Sequence, residues 1–252
     1  MKIDRAGTRP SRAHPGLSRR AALAGIGAAT LAVGRPWPGP SGASAQPSAD
    51  PFTLGIASGE PASDSVVLWT RLAPDPLAPD GGMPASRIPV EWSVYADEAC
   101  TRLVVRGEAT AVPEEAHSVH AVAGGLEAAR HYWYRFRAGD ALSPVGRTRT
   151  LPPGDQAPAR FRIAVAGCQR IEHGFYTAWR DIAAQDVDLV YFYGDYIYEY
   201  RLPQETIAAR VGMTLSARAC RRPRDLADYR VRHALYRLDR DLAAAHAMHP
   251  FV

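Results

Sequence analysis

The sequence predicts a β-sandwich followed by the first part of an α/β domain. Residues 52–150 contain short alternating or β-branched runs separated by Gly, Pro and Asp, a spacing that favours a sandwich of the fibronectin III/Ig-like kind. A Pro/Gly segment, residues 152–159, follows, and beyond it the apolar pattern changes to strand, helix, strand. We therefore predict a β-sandwich N-terminal domain in residues 46–152 and an α/β domain in residues 160–252.

Residues 1–45 have the order of a twin-arginine (Tat) export signal. A basic stretch contains Ser18-Arg19-Arg20, an uncharged run covers residues 21–33, and small residues end the segment at Ala45. The run is too short and too rich in Ala and Gly for a stable membrane span. A basic amphipathic N-terminus is the alternative. The export interpretation predicts a bacterial periplasmic or secreted protein whose partners include the Tat export machinery.

The charge of the chain is unevenly distributed. The formal net charge is +4, but residues 1–45 hold seven of the 30 Lys and Arg and one of the 26 Asp and Glu. The remaining 23 basic and 25 acidic residues give −2, so we predict no nucleic-acid-binding surface. The three cysteines, Cys100, Cys168 and Cys220, cannot all pair within one exported chain.

In the predicted sandwich the clearest strands are residues 65–70, 90–95 and 132–136. In the second of them apolar and polar residues alternate, as a half-buried antiparallel strand requires. We expect His117 and His120 to be surface residues at strand ends, because neither has a carboxylate or thiol beside it at the spacing of metal ligands.

The second domain begins with a predicted βαβ unit. Residues 162–167 form a short buried strand, the apolar residues from Phe175 to Ala183 fall on one helical face, and residues 187–193 form a second apolar strand. Two parallel strands joined by a right-handed crossover are the expected result.

From Thr206 onward the pattern is helical and rich in Arg. Asp225 and Asp239 are predicted N-caps of two successive helices. We expect the eight Arg from Arg218 to Arg240 to form a solvated face, because Asp residues are interleaved with them.

Polar residues follow both strands of the βαβ unit. Cys168 comes directly after the first strand, Asp195 comes after the second, and Tyr198 is in the same turn as Asp195. Since the carboxyl ends of parallel strands meet at one edge of a sheet, we expect these side chains to share a crevice. Each of them also has an ordinary structural interpretation. Cys168 alone could be a small buried residue, Asp195 a turn or cap residue, and Tyr198 a half-buried aromatic.

A metal site is the chemistry that this combination favours. A cysteine phosphatase needs Arg six positions after the Cys, and position 174 is Gly. A serine hydrolase needs a Gly-x-Ser-x-Gly elbow, and the sequence has none. Sulfur and oxygen anions can neutralise a highly charged cation. A non-enzymatic extracellular β-sandwich binding module stays an alternative, as does a thiol-redox protein, although the latter lacks Cys-x-x-Cys.

Several motifs resemble those of the alkaline phosphatase D family, the PhoD-like metallophosphatases, over residues 52–252. They are Ala166-Gly167-Cys168-Gln169, residues 174–179, Gly194-Asp195-Tyr196-Ile197-Tyr198-Glu199, residues 228–237 and 241–247, and, toward the N-terminus, residues 52–61 and 67–71. The Gly-Asp-Tyr-Ile-Tyr-Glu run downstream of a Cys-Gln pair is the most specific of them.

The resemblance implies a calcineurin-like metallophosphoesterase domain after the sandwich. It implies that Cys168, Asp195 and Tyr198 are ligands of a ferric ion (Fe3+), with Asp195 also bridging toward calcium (Ca2+). The implied activity is hydrolysis of phosphate monoesters and diesters outside the cytoplasm by a metal-activated hydroxide. The wider superfamily has Asp-x-His at the first strand end, where this chain has Cys168-Gln169-Arg170, the signature of the family itself.

Family members continue beyond the stretch that corresponds to residues 246–250 into a Trp-Asp-Asp-His-Glu motif, whereas this sequence ends at Val252. We therefore expect the polypeptide to be a fragment that holds only part of the metallophosphatase domain and is inactive alone.

Overall fold

The computed structural model of the protein describes residues 50–252, so the predicted export signal lies outside the described residues. The strands are β1 (Ile56–Gly59), β2 (Ser65–Arg71), β3 (Ile88–Tyr95), β4 (Leu103–Ala111), β5 (Ser118–Gly124), β6 (His131–Ala138), β7 (Ala141–Leu142), β8 (Gly146–Arg149), β9 (Ile163–Ala166), β10 (Leu189–Phe192) and β11 (Pro250–Phe251). The helices are α1 (Thr177–Ala184), α2 (Gln204–Val211), α3 (Ala217–Cys220), α4 (Leu226–Arg237) and α5 (Arg240–Met248). Within residues 50–252, no helix is both long enough and apolar enough to pass through a membrane.

The described strands form two sheets. The first has six strands in the order β5-β2-β1-β11-β10-β9, and the second has the order β4-β3-β6-β7, with β8 also paired to β6. Apolar residues of β2 and β5 in the first sheet share a core with those of β3 and β6 in the second. The predicted alternation in β3 is confirmed, because Val90, Trp92 and Val94 are buried while Glu91 is exposed.

The predicted βαβ unit is present, with β9 and β10 parallel and Ile163 opposite Leu189. The prediction that β9 is a buried strand is wrong, because Ile163 is 51% and Val165 is 64% exposed. The physical reason is that β9 is the edge strand of its sheet and one of its faces is uncovered. Phe175 is also exposed, because it precedes α1 and does not lie on the buried helical face.

A parallel pairing of β1 with β11 links the two predicted domains through one sheet. Ser58 lies opposite Pro250 and Gly59 lies opposite Phe251. A Cβ atom at position 59 would lie 2.6 Å from the carbonyl oxygen of Phe251, so the close approach of the two backbones requires glycine. The division of the chain into residues 46–152 and 160–252 stays a prediction.

The predicted starts of α4 and α5 are confirmed, but the predicted solvent exposure of the arginines in this region is not confirmed for all of them. The Asp225 side chain accepts from the backbone N–H of Asp228 at the start of α4, and Asp239 caps α5 in the same way. The expectation of a uniformly solvated arginine face is wrong, because Arg232 and Arg237 are buried and bond to backbone carbonyl oxygens.

The two histidines of the first predicted domain differ. His120 is exposed, as expected. His117 is buried, which corrects the expectation for that residue, and burial lowers the pKa of its imidazole. It follows a short 3₁₀ turn, Pro113–Glu115, that folds back so that His117 N–H donates to the Val112 carbonyl oxygen.

Candidate metal centre

The candidate site lies where β9 and β10 end side by side. Beyond the last paired residues, Tyr193 N–H donates to the carbonyl oxygen of Ala166 at 3.0 Å. Cys168 N–H then donates to the carbonyl oxygen of Gly194, also at 3.0 Å. The two loops are therefore tied to each other directly at the sheet edge that the sequence indicated.

Both loops turn at a residue with an unusual backbone conformation. Cys168 and Asp195 each have φ of 55°, in the left-handed region that residues other than glycine seldom occupy. Such conformations carry a free-energy cost and persist when the surrounding structure holds them, as the backbone ladder between the two loops does here. The turns after β9 and β10 therefore share one strained conformation at the point where their first polar residues lie.

The three residues predicted as metal ligands meet at one oxygen atom. Cys168 Sγ lies 3.4 Å from Asp195 Oδ2, and the Tyr198 hydroxyl donates to the same Oδ2 at 2.9 Å. Cys168 and Asp195 are exposed to solvent, and Tyr198 is half-buried. A thiol, a carboxylate and a phenol that lie far apart in the sequence thus converge within hydrogen-bond distance.

The electrostatics of the site reflect this concentration of acidic groups. The hydrogen bond to Asp195, together with the nearby Cys168, raises the pKa of the Tyr198 phenol. Tyr193 is a fourth acidic group that the sequence reasoning missed, and the electrostatic interaction with the neighbouring Cys168 raises the pKa of its phenol. The Tyr193 ring also lies where a side chain at Gly167 would be, since a Cβ there would approach it to 2.4 Å.

Gln169 holds the loops in place from behind the site. Its side-chain amide donates from Nε2 to the carbonyl oxygen of Tyr196 at 3.1 Å, and its Oε1 accepts from the indole N–H of Trp179 at 2.9 Å. Gln169 is buried, and its bond to Trp179 is buried with it, while its bond to Tyr196 is partly buried. One side chain therefore links the loop after β9 to the loop after β10 and to α1.

A second device fixes the turn that carries Tyr198. Arg232 of α4 is almost fully buried, and its guanidinium donates to four backbone carbonyl oxygens. Those of Tyr198, at 2.6 Å, and Tyr200, at 2.8 Å, belong to the turn that carries the predicted ligand. The Tyr236 hydroxyl accepts from the backbone N–H of Tyr198 at 3.3 Å.

A cavity of about 320 Å³ lies beside this turn and contains none of the three predicted ligands. Its lining includes Trp69, Tyr196, His233, Arg237 and His246. Burial and the nearby Arg237 lower the pKa of both histidines, that of His233 to about 4. The cavity is an aromatic and histidine-rich pocket adjacent to the candidate centre.

The donor set at the loops fits a metal ion of high charge. Among the described residues no group of three or more His, Cys, Asp or Glu is close enough to hold a metal. The convergence at Asp195 Oδ2 instead joins one thiol, one carboxylate and one phenol. All three donors become anionic on deprotonation, and a carboxylate has a second oxygen with which it can bridge.

Comparison with known proteins identifies the family. The model of the PhoD-like phosphatase N-terminal domain matches residues 39–152, and that of the PhoD-like phosphatase matches residues 163–252. The chain belongs to the PhoD-like phosphatase family. Alkaline phosphatase D of Bacillus subtilis is 52% identical over 205 residues, which are 80% of this chain.

A solved PhoD-like relative has a similar fold. The structure of PhoD superposes with a TM-score of 0.75 at 48% sequence identity and covers 83% of the chain. The chain spans 34% of the length of the Bacillus subtilis protein and 39% of the solved PhoD chain. The likeness therefore concerns about a third of these PhoD-like proteins, the part that contains the paired loops.

Proposed function

We propose that this chain supplies an iron site to an exported phosphatase that hydrolyses phosphate monoesters and diesters. One observation carries the proposal, the convergence of Cys168, Asp195 and Tyr198 on a single carboxylate oxygen. Membership of the PhoD-like family supports the reaction class, since the similar Bacillus subtilis protein is an alkaline phosphatase.

The proposed ligands have distinct roles. Cys168, Asp195 and Tyr198 would hold Fe3+, and Asp195 would also be shared with Ca2+. When bound, these ions supply Lewis-acid activation of the ester and of the attacking water. Gln169 keeps the two ligand loops at a fixed separation, because it bonds to both the Tyr196 carbonyl oxygen and the Trp179 indole.

The proposal also covers the fold of the two domains and the location of the protein. We assign residues 46–152 to a fibronectin III/Ig-like sandwich and residues 160–252 to a calcineurin-like domain, supported by the shared core of the two sheets and by the parallel β9–α1–β10 unit. The basic, apolar and small-residue zones of residues 1–45 support Tat export to the periplasm or the medium.

Iron binding tests the site directly. In a protein that continues residues 50–252 into the remaining sequence of the Bacillus subtilis relative, addition of Fe3+ to the metal-free form is expected to produce a visible absorption band from phenolate bound to iron, and Tyr198→Phe abolishes it. Tyr200→Phe is the matched control, because its ring stacks on Tyr198 at 5.9 Å but is not a proposed ligand. A band that survives in Tyr198→Phe, or its absence from the unmodified protein, contradicts the assignment.

Two further measurements separate the alternatives. Alkylation of Cys168 is expected to slow in the presence of iron, whereas a redox thiol would stay reactive. Hydrolysis of p-nitrophenyl phosphate is tested in a chimera that continues residues 50–252 into the remaining sequence of the Bacillus subtilis relative. If Asp195 holds the metals, Asp195→Asn is expected to remove that activity. If the chimera binds glycan and hydrolyses no ester, the result favours the alternative of a non-enzymatic binding module.

A further inference from the structure

Arg170 lies against the ring of the proposed ligand Tyr198. Its guanidinium carbon is 5.5 Å from the centre of the Tyr198 ring and 4.8 Å from the centre of the Tyr200 ring. The two rings are stacked on each other, with centres 5.9 Å apart and planes 20° from parallel. Both distances fall within the range of a cation–π contact, so one planar cation packs against a pair of phenols.

Glu172 holds the guanidinium of Arg170 in this place. Arg170 Nε donates to Glu172 Oε1 at 2.8 Å, and Nη2 donates to the same oxygen. The Glu172 side chain is only 10% exposed, and it lies in the 3₁₀ turn Ile171–His173 that begins directly after Arg170. Because a guanidinium stays protonated at ordinary pH, a positive charge is held beside the two rings.

The backbone of Tyr198 is already fixed from the other side. Its carbonyl oxygen accepts from Arg232 and its N–H donates to the Tyr236 hydroxyl. The freedom that remains to Tyr198 is therefore rotation of the side chain, and its ring is half-buried. The groups that limit this rotation are the bond from its hydroxyl to Asp195 and the contacts of its ring face with Arg170 and Tyr200.

We propose that Arg170 is a positioning residue that sets the orientation of the Tyr198 phenol toward the candidate metal centre, with Glu172 as its anchor. The role of Tyr198 as a metal ligand rests on the proposed function, whereas the contacts of Arg170 with Tyr198 and Glu172 do not. A planar guanidinium can bond to Glu172 at its edge while its face packs against a ring. A lysine could keep the charge at this position but would lose the stacked plane.

The metal-free protein provides the first test. Tyrosines are labelled with 3-fluorotyrosine, and the Tyr198 fluorine resonance is identified by its loss in Tyr198→Phe. We expect Arg170→Gln to shift and broaden this resonance. Arg170→Lys keeps the ion pair with Glu172, so it folds with that carboxylate paired, and it is expected to shift the resonance as well. An unchanged Tyr198 resonance in both variants overturns the proposal.

Arg135→Gln is the matched control for this test. Arg135 makes the same kind of contact, 5.7 Å from the centre of the Tyr95 ring, on the second sheet and away from the paired loops. It should leave the Tyr198 resonance in place. A shift in this control equal to that of Arg170→Gln would mean that the resonance reports overall structure, which would also overturn the proposal.

The iron-loaded protein provides the second test. A cation beside a phenolate lowers the energy of the phenolate electrons that are transferred to iron in this band. Removing the cation in Arg170→Gln is therefore expected to reduce the transition energy and move the band to longer wavelength. Loss of one cation–π contact corresponds to roughly two- to fivefold weaker iron retention. A protein without any band contradicts the proposed function, whereas the metal-free resonance still decides whether Arg170 positions Tyr198. A band that is identical in Arg170→Gln contradicts the positioning role.

Discussion

His246 is a titratable residue enclosed among aromatic and basic groups. Its Nε2 lies 2.9 Å from the hydroxyl of Tyr196, its ring stacks on Phe251, and its Nδ1 is buried without a hydrogen-bond partner among the described residues. Burial, Arg237 and His233 all lower the pKa of His246 well below 6.5. The folded protein therefore keeps this imidazole neutral.

This burial predicts that stability falls in mild acid. The unfolded chain takes up a proton on His246 below about pH 6.5, whereas the folded chain does not, so stability is present above that pH and is lost as the pH falls. We expect the free energy of unfolding to decrease by up to about 1.4 kcal/mol per pH unit for this group. Urea unfolding at pH 7.5 and pH 5.5 measures the effect.

His246→Gln should reduce that dependence on pH. Equal slopes in the unmodified protein and in His246→Gln would refute the prediction. His233, whose pKa is lowered to about 4, contributes a slope of the same sign that remains in His246→Gln.

Single residues also show where sequence reasoning was limited. Cys168, Asp195 and Tyr198 could be placed together because each follows a strand within one local βαβ unit. Arg232 could not be distinguished from its solvated neighbours, because its acceptors are carbonyl oxygens, which every residue type carries. Tyr193 was missed although it lies two residues before Asp195, because the alternation of the strand gives no sign of its contact with Cys168.

Helices α4 and α5 both begin with an aspartate N-cap. Asp225 and Asp239 each accept backbone N–H groups at a helix N-terminus, as the spacing in the sequence predicted. Their surroundings differ. Asp225 pairs with the partly exposed Arg218, whereas Asp239 forms a buried ion pair of 2.7 Å with Arg210.

The two caps should therefore respond differently to the same substitution. Asp225→Ala is expected to lower the free energy of unfolding by about 1 kcal/mol, the cost of a lost cap. Asp239→Ala should lower it by about 3 kcal/mol, because it also leaves the buried Arg210 without its carboxylate. Urea unfolding at pH 7.5 compares the two variants, and equal losses would show that the buried pair adds nothing.

A cap is predictable from sequence because its donor and acceptor are two or three residues apart. The Arg210–Asp239 pair is not, because it joins α2 to α5 across 29 residues and depends on how the helices pack. The same limit explains why the exposure of Ile163 and Val165 in β9 could not be predicted. Composition gives the strand but does not say which neighbours cover its faces.

The six-stranded sheet leaves an apolar face open at one end of the molecule. Ile163 and Val165 of β9 and Tyr191 of β10 are exposed, as is Tyr193 just beyond the strand. Val165 lies opposite Tyr191 in the parallel register, so these side chains form one continuous stripe. Parallel sheets are normally covered on both faces, and uncovered apolar stripes favour association.

We expect the protein to self-associate through this stripe at raised concentration. Val165→Lys places a charge at its centre and should move the sedimentation behaviour toward the monomer in analytical ultracentrifugation. Leu142→Lys is the control, because Leu142 is a similarly exposed apolar residue on the second sheet. The same monomer content in both variants and in the unmodified protein would refute the prediction.

The parallel pairing of β9 with β10 was predictable because a short crossover helix connects the two strands. The pairing of β1 with β11 was not, because β11 has two residues and its partner lies 192 positions earlier in the chain, as Ser58 and Pro250 show. The sequence pattern divides the chain near residue 155, and the hydrogen bonds of the first sheet cross that point.

This pairing has a consequence for synthesis. Ser58 leaves the ribosome long before Pro250, its partner in the sheet. At ordinary elongation rates the interval is about 10 to 40 s, during which β1 pairs with β2 on one side and has an unsatisfied backbone edge on the other. The nascent chain must shield that edge from neighbouring polypeptides until β11 has been made and closes it.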